Sequence, residues 1–169
     1  MLISNSSPLI HLTRLGKWKY VMRTFPSLLI PTAVRFETIE KGKEEGYSDA
    51  LVLERLEKEG WLKTVKLSIP SSLKTVKELA SELGKGEAEA IALAAENNER
   101  LIIDDQKGRQ VADYYGVETV TTLGLMLEML LDGALPREDY RKNIKNYSAQ
   151  GWITPEVVQE FLDRGEKNE

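Results

Sequence analysis

Two short runs constrain this chain more than anything else in it. Leu28, Leu29 and Ile30, and again Leu101, Ile102 and Ile103, are apolar at every position. Successive side chains of a strand point to opposite faces, so a strand with one wet face alternates apolar and polar residues. A strand that is apolar throughout must be covered on both faces, as in a parallel sheet between layers of helices. Three further runs, Met1–Ser4, Leu62–Leu67 and Val117–Thr121, read as strands beside them. Helical patterns lie between, over Pro8–Leu15, Thr32–Glu45, Asp49–Glu59, Ser72–Leu83, Glu87–Asn98, Gly108–Tyr115 and Leu123–Leu131. Pro31 precedes the second of these, and Gly60 and Gly84 end the third and fourth, as helix start and stop signals do. Strand and helix in alternation predict a three-layer α/β fold with a central, mostly parallel sheet.

The last third changes character. Leu135–Ala149 and Pro155–Arg164 read as two more helices with no strand between them, the second with Thr154 as its cap and Pro155 at its first position. Val157, Val158, Phe161 and Leu162 share one face, so this helix packs either on its own domain or on a partner chain. At 169 residues and without a linker, the chain reads as one domain: a core over 1–133 and a helical C-terminal extension over 134–169.

Composition excludes several chemistries. The chain has no cysteine, which removes disulfides, thiolate catalysis and Cys-type zinc sites. Its one histidine, His11, rules out a two-histidine metal site or catalytic pair. Residues 1–4 run into Pro8, Leu9 and Ile10 without a basic n-region. No later stretch approaches about 18 apolar residues, so the expectation is a soluble, cytoplasmic protein with no membrane contact. The net charge of −4 is the wrong sign for gripping duplex DNA through many phosphates. Contact with nucleic acid then requires a local basic patch, or a cation held in an acidic cluster.

The sequence supplies material for such a cluster. Four places put acidic or amide side chains at strand ends or helix starts, where open α/β sheets build their sites. Asn5, Ser6 and Ser7 follow the first strand, and Glu37 lies in the helix after Leu28–Ile30. Glu87 and Glu89 open a helix of small residues, and Asp104 and Asp105 end the strand Leu101–Ile103. Singly, each has an ordinary explanation: Asn5 or Ser7 as a helix cap, Glu37 as a solvated residue, Glu87 as a complement to its helix dipole, Asp105 as a cap. Together they point to a site. Carboxylates crowded at one sheet edge repel, and the cluster persists when a cation neutralises it; oxygen-only ligands select Mg²⁺ or Mn²⁺ over zinc. At about 100° per residue, Glu87 borders the apolar face near Ile91 and Ala94, while Glu89 falls opposite, towards solvent. Asp104 and Asp105 point opposite ways, and the strand pattern does not choose between them. Lys107 and Arg109, just beyond, either meet phosphate or are ordinary helix charges.

Residues Ile3–Ile10 resemble the opening of PIN domains, in which an acidic residue ends the first strand and a serine or threonine follows two later. Ile30–Glu37 resembles the family's proline-to-glutamate element, Leu83–Ala94 the segment carrying the third acid, and Leu101–Asp105 the fourth, with a spacing that favours Asp105. The likeness spans residues 1 to about 133, and the tail resembles one branch of VapC-like proteins. The resemblance implies a metal-dependent ribonuclease, often the toxin of a toxin–antitoxin pair. Asn5, Glu37, Glu87 and Asp105 would hold Mg²⁺ or Mn²⁺, with Ser7 orienting water or a ligand. RNA is the implied substrate, a small antitoxin the implied partner, and a homodimer the implied assembly. Asn5 departs from the family's usual aspartate and offers a neutral carbonyl oxygen instead. That leaves a second reading, a catalytically degenerate PIN-like module that binds nucleic acid or serves as a scaffold. A receiver-type phosphotransfer domain needs its acidic pair after the first strand, an order that Asp104 and Asp105 do not supply.

Overall fold

The computed structural model describes residues 1–167. At its centre five strands pair in parallel, in the order β3-β2-β1-β4-β5. They are β1 (Leu2–Ser4), β2 (Leu28–Pro31), β3 (Leu62–Val65), β4 (Arg100–Ile102) and β5 (Thr119–Val120). Leu2 of β1 stands opposite Leu28 on one side and Arg100 on the other. The helices are α1 (Ser6–Leu15), α2 (Trp18–Thr24), α3 (Thr32–Arg35), α4 (Lys41–Glu44), α5 (Ser48–Lys58), α6 (Pro70–Leu83), α7 (Lys85–Asn97), α8 (Gln106–Tyr114), α9 (Thr122–Leu131), α10 (Arg137–Ala149) and α11 (Pro155–Glu166). A π-helical turn, Phe36–Glu40, joins α3 to α4.

Both faces of the sheet are covered, which is why the runs Leu28–Ile30 and Leu101–Ile103 are apolar at every position. Leu2, Leu28, Ile30 and Ile102 pack on one side, into a core with α1, α5, α9 and α10. Ile3, Leu29, Leu101 and Ile103 pack on the other, against Ile91 and Leu93 of α7 and Ala112 of α8. The small residues of α7 suit its position, since Ala88, Ala90, Ala92 and Ala94 are all buried. The helix lies among the sheet, α6 and α3, and alanine allows that close approach on several sides.

Several boundaries differ from the sequence expectation. Helix α1 starts at Ser6, so Pro8 falls inside its first turn, where a missing N–H removes no helical bond. Helix α6 starts at Pro70 rather than Ser72. Strand β3 stops at Val65, and β5 shrinks to Thr119–Val120, as the two edge strands of the sheet. Helix α2 has no counterpart in the sequence reading. Its charges, Lys19 and Arg23, break the apolar pattern; it is held by burial of Trp18, Tyr20 and Val21, and by the bond from Trp18 Nε1 to Thr13 Oγ1 at 3.1 Å.

Helix α11 packs on α9 and α10. Phe161 is buried, and Val157, Val158 and Leu162 lie against the same core, so its apolar face is covered by its own chain. The Tyr140 hydroxyl donates to the Phe161 carbonyl at 2.7 Å, and Arg137 Nη1 donates to the Gly165 carbonyl at 2.7 Å. Among the described residues no helix is long and apolar enough to cross a membrane. Gly165 admits the Tyr140 ring, since a Cβ there would stand 2.6 Å from Tyr140 Cε1. Gly165→Ala should therefore cost about 1–3 kcal/mol through overpacking, read as a drop in melting temperature. An unchanged melt would mean that α11 is not seated on Tyr140.

Candidate metal centre

Asn5 follows the last residue of β1 and occupies the N-cap position of α1, with extended backbone. An asparagine there usually accepts a bond from the helix backbone, but Asn5 makes no such side-chain bond. Its Nδ2 instead donates to Glu87 Oε1 at 3.3 Å. Asn5 is only 2% exposed, and its Oδ1 is buried with no hydrogen-bond partner among the described residues. An unpaired buried acceptor costs about 1–3 kcal/mol. A cation or a water donor answers it.

The carboxylates gather around that pair. Glu87, in the first turn of α7, has its pKa raised above the ordinary carboxylate value. Burial is the largest cause, followed by the negative charges of Asp105 and Glu37; the Asn5 amide offsets part of this. Asp105 caps α8, accepting from Gly108 N–H at 2.6 Å through Oδ2. Glu37 reaches in from the π-helical turn, its carboxylate held by the Ser6 hydroxyl at 2.5 Å. π-turns of this kind recur at functional sites because they re-aim a helix's side chains.

The two adjacent aspartates have opposite surroundings. Asp104 accepts from Thr122 N–H at 2.7 Å, from Thr122 Oγ1 at 2.8 Å and from the Tyr147 hydroxyl at 3.1 Å, and it meets His11 Nδ1 at 2.8 Å. Burial pushes its pKa up, but the bonds from His11 and Thr122 outweigh that and hold it below the usual range. Asp104 thus ties the end of β4 to α1, α9 and α10. Asp105 is the one whose charge is felt by Glu87.

Three expectations need adjustment. Ser7 is exposed, and it is Ser6 that bonds Glu37; the start of α1 two residues before Pro8 turned Ser6 inward. Glu89 does not point to solvent: its Oε2 accepts from Ala33 N–H at 2.8 Å. The far side of α7 is not open, because α3 covers it. Lys107 pairs with Glu82 at 3.2 Å, and Arg109 donates to the Asp104 carbonyl.

Among the described residues, no three Asp, Glu or His side chains are grouped closely enough to hold an ion by themselves. The donor set that does converge is all oxygen: Asn5 Oδ1 with the carboxylates of Glu37, Glu87 and Asp105. This suits a hard cation that keeps several waters and takes only one or two carboxylates directly, as Mg²⁺ does.

A family model described as a PIN domain matches residues 1–167. Comparison with curated proteins and with solved structures gave no match.

The charge on Glu87 also sets a pH dependence for the metal-free protein. Native Glu87 keeps its proton to higher pH than it does in the unfolded chain, where the value is near 4.5. In that window the native state holds more protons, so stability falls as pH rises through it. In EDTA, wild type should lose stability relative to Glu87→Gln as pH is raised from 4.5 towards neutrality, measured by urea unfolding. Parallel curves would contradict the burial of Glu87 beside Asp105 and Glu37.

Proposed function

Because the chain belongs to the PIN-domain family, whose model spans residues 1–167, we propose that it is a metal-dependent ribonuclease working at Asn5, Glu37, Glu87 and Asp105. The observation that carries the reading is the unpaired, buried Oδ1 of Asn5 beside the Glu87 carboxyl, whose pKa is raised by burial and then by the charges of Asp105 and Glu37. Bound Mg²⁺ or Mn²⁺ would supply an activated water and charge stabilisation for the phosphodiester. The chain's residues prepare for this in separate ways. The Asn5 amide holds one oxygen of Glu87, and Gly108 N–H holds one oxygen of Asp105, so each carboxylate is oriented with its other oxygen uncommitted to that bond. With net charge −4 and acids at its centre, the site repels phosphate unless a cation is present, which makes activity strictly metal-dependent.

The toxin role, a small antitoxin as partner and a homodimer belong to the same proposal and rest on the family resemblance. Asn5 in the place of the family's usual aspartate supports a second reading, a nucleic-acid-binding or scaffold module with the fold and without the reaction.

Purified protein incubated with single-stranded RNA and Mn²⁺ should cleave it, and EDTA should abolish cleavage. Glu87→Gln and Asp105→Asn should each lower the rate by about a hundredfold or more, while Glu89→Gln keeps it. No metal-dependent cleavage of several RNAs by folded protein would favour the scaffold. Asn5→Asp should tighten Mn²⁺ binding by about tenfold, equivalent to ~1.4 kcal/mol, and lower the metal-free melting temperature through added repulsion. Calorimetry and melting that move in neither direction would remove Asn5 from the site.

A further inference from the structure

Glu37 is an exposed residue that joins the cluster from a helix outside the central β1–α7–β4 framework. A long, exposed glutamate samples many rotamers, and holding it in one of them costs side-chain entropy. Two features of the neighbouring elements restrict it. The first is the Ser6 hydroxyl, which donates to Oε2 from the first residue of α1. The second is Gly86, in the first turn of α7. An ideal Cβ at Gly86 would stand 2.5 and 2.7 Å from the two carboxylate oxygens of Glu37 and 2.9 Å from its Cδ. No ordinary contact is so short, so the Glu37 carboxylate occupies the volume that any side chain at this position would take.

The backbone does not explain why Gly86 is a glycine. It lies within α7 and is not among the glycines with positive φ. In a helix, glycine is less favourable than alanine, and the rest of α7 is rich in alanine. The three atoms nearest to the absent Cβ all belong to Glu37.

We propose that Gly86 and Ser6 are positioning residues for Glu37: the missing side chain of one and the hydroxyl of the other seat its carboxylate beside Glu87, presetting it for the metal. This rests on the metal-dependent reading of the site. The helix gives up local stability at Gly86 so that a carboxylate can lie against its first turn, where the helix dipole also favours a negative charge.

The test uses the full chain and two readouts, Mn²⁺ affinity by calorimetry and melting temperature in EDTA. Ser6→Ala and Gly86→Ala should each weaken Mn²⁺ binding by about tenfold or more, the usual effect of losing a group that orients a ligand. Ser6→Thr, which keeps the hydroxyl, should retain wild-type affinity. Without metal, Gly86→Ala should leave the melt near that of wild type, because the gain in helix preference is offset by displacement of Glu37. In a Glu37→Ala background the same change should raise it by about 2–4 °C. An equal rise in both backgrounds, or unchanged Mn²⁺ affinity in Ser6→Ala and Gly86→Ala, overturns this inference. Absence of Mn²⁺ binding by wild type, with the melting difference intact, overturns the metal reading instead.

Discussion

Strand β1 is paired on both sides, with β2 and with β4, and those two parallel registers decide where every acid of the cluster goes. Parallel strands end at the same edge of a sheet, so Asn5 after β1, α3 after β2 and Asp105 after β4 all emerge together. Helix α7 returns the chain before β4, which brings its first turn, and with it Glu87, to that edge. The registers are held by apolar burial on both faces, with Leu2, Leu28 and Ile102 on one side and Ile3, Leu29 and Leu101 on the other. The hydrophobic layers therefore impose a concentration of negative charge that the carboxylates alone would oppose.

The chain manages that opposition locally rather than by pairing the acids with cations. Glu87 receives an amide bond from Asn5, Glu37 a hydroxyl bond from Ser6, and Asp105 a backbone N–H from Gly108. These are neutral donors, which orient a carboxylate without cancelling its charge. Asp104 shows the alternative for the same residue type one position away. With His11, Thr122 and Tyr147 around it, it serves as a joint between β4 and three helices. An asparagine at position 5 fits the first group: it adds an oxygen to the cluster without a further charge, so the metal-free fold carries less repulsion than an aspartate would bring.

Much of this was legible in the sequence because it follows from period and position. The all-apolar runs marked β2 and β4, alternation with helices gave the parallel sheet, and the acids at element ends gave the edge where Asn5, Glu37, Glu87 and Asp105 meet. What was not legible depends on contacts between distant elements. Whether Glu89 faces water turns on α3 lying beside α7, a packing that a single helix's periodicity does not encode. Asp104 and Asp105 differ only in which way the strand end faces, and alternation gives opposite directions without saying which side holds Glu87. The inward turn of Ser6, rather than Ser7, follows from α1 starting at Ser6, two residues before the start that Pro8 signals. Helix α2 is short and charged, and its reason to exist is a tertiary one, the burial of Trp18 beside Trp61.

The central claim is that a divalent cation belongs among Asn5, Glu37, Glu87 and Asp105 and nowhere else on an acidic surface. Paramagnetic broadening tests it directly: trace Mn²⁺ is added to isotope-labelled protein and the loss of each amide signal is recorded. The account predicts that the Asn5 side-chain amide and the backbone signals of Ser6, Gly86, Glu87 and Asp105 vanish first, while Glu78, Glu118 and Glu160 keep theirs. Broadening spread evenly over the exposed carboxylates, or centred away from Asn5, would contradict it.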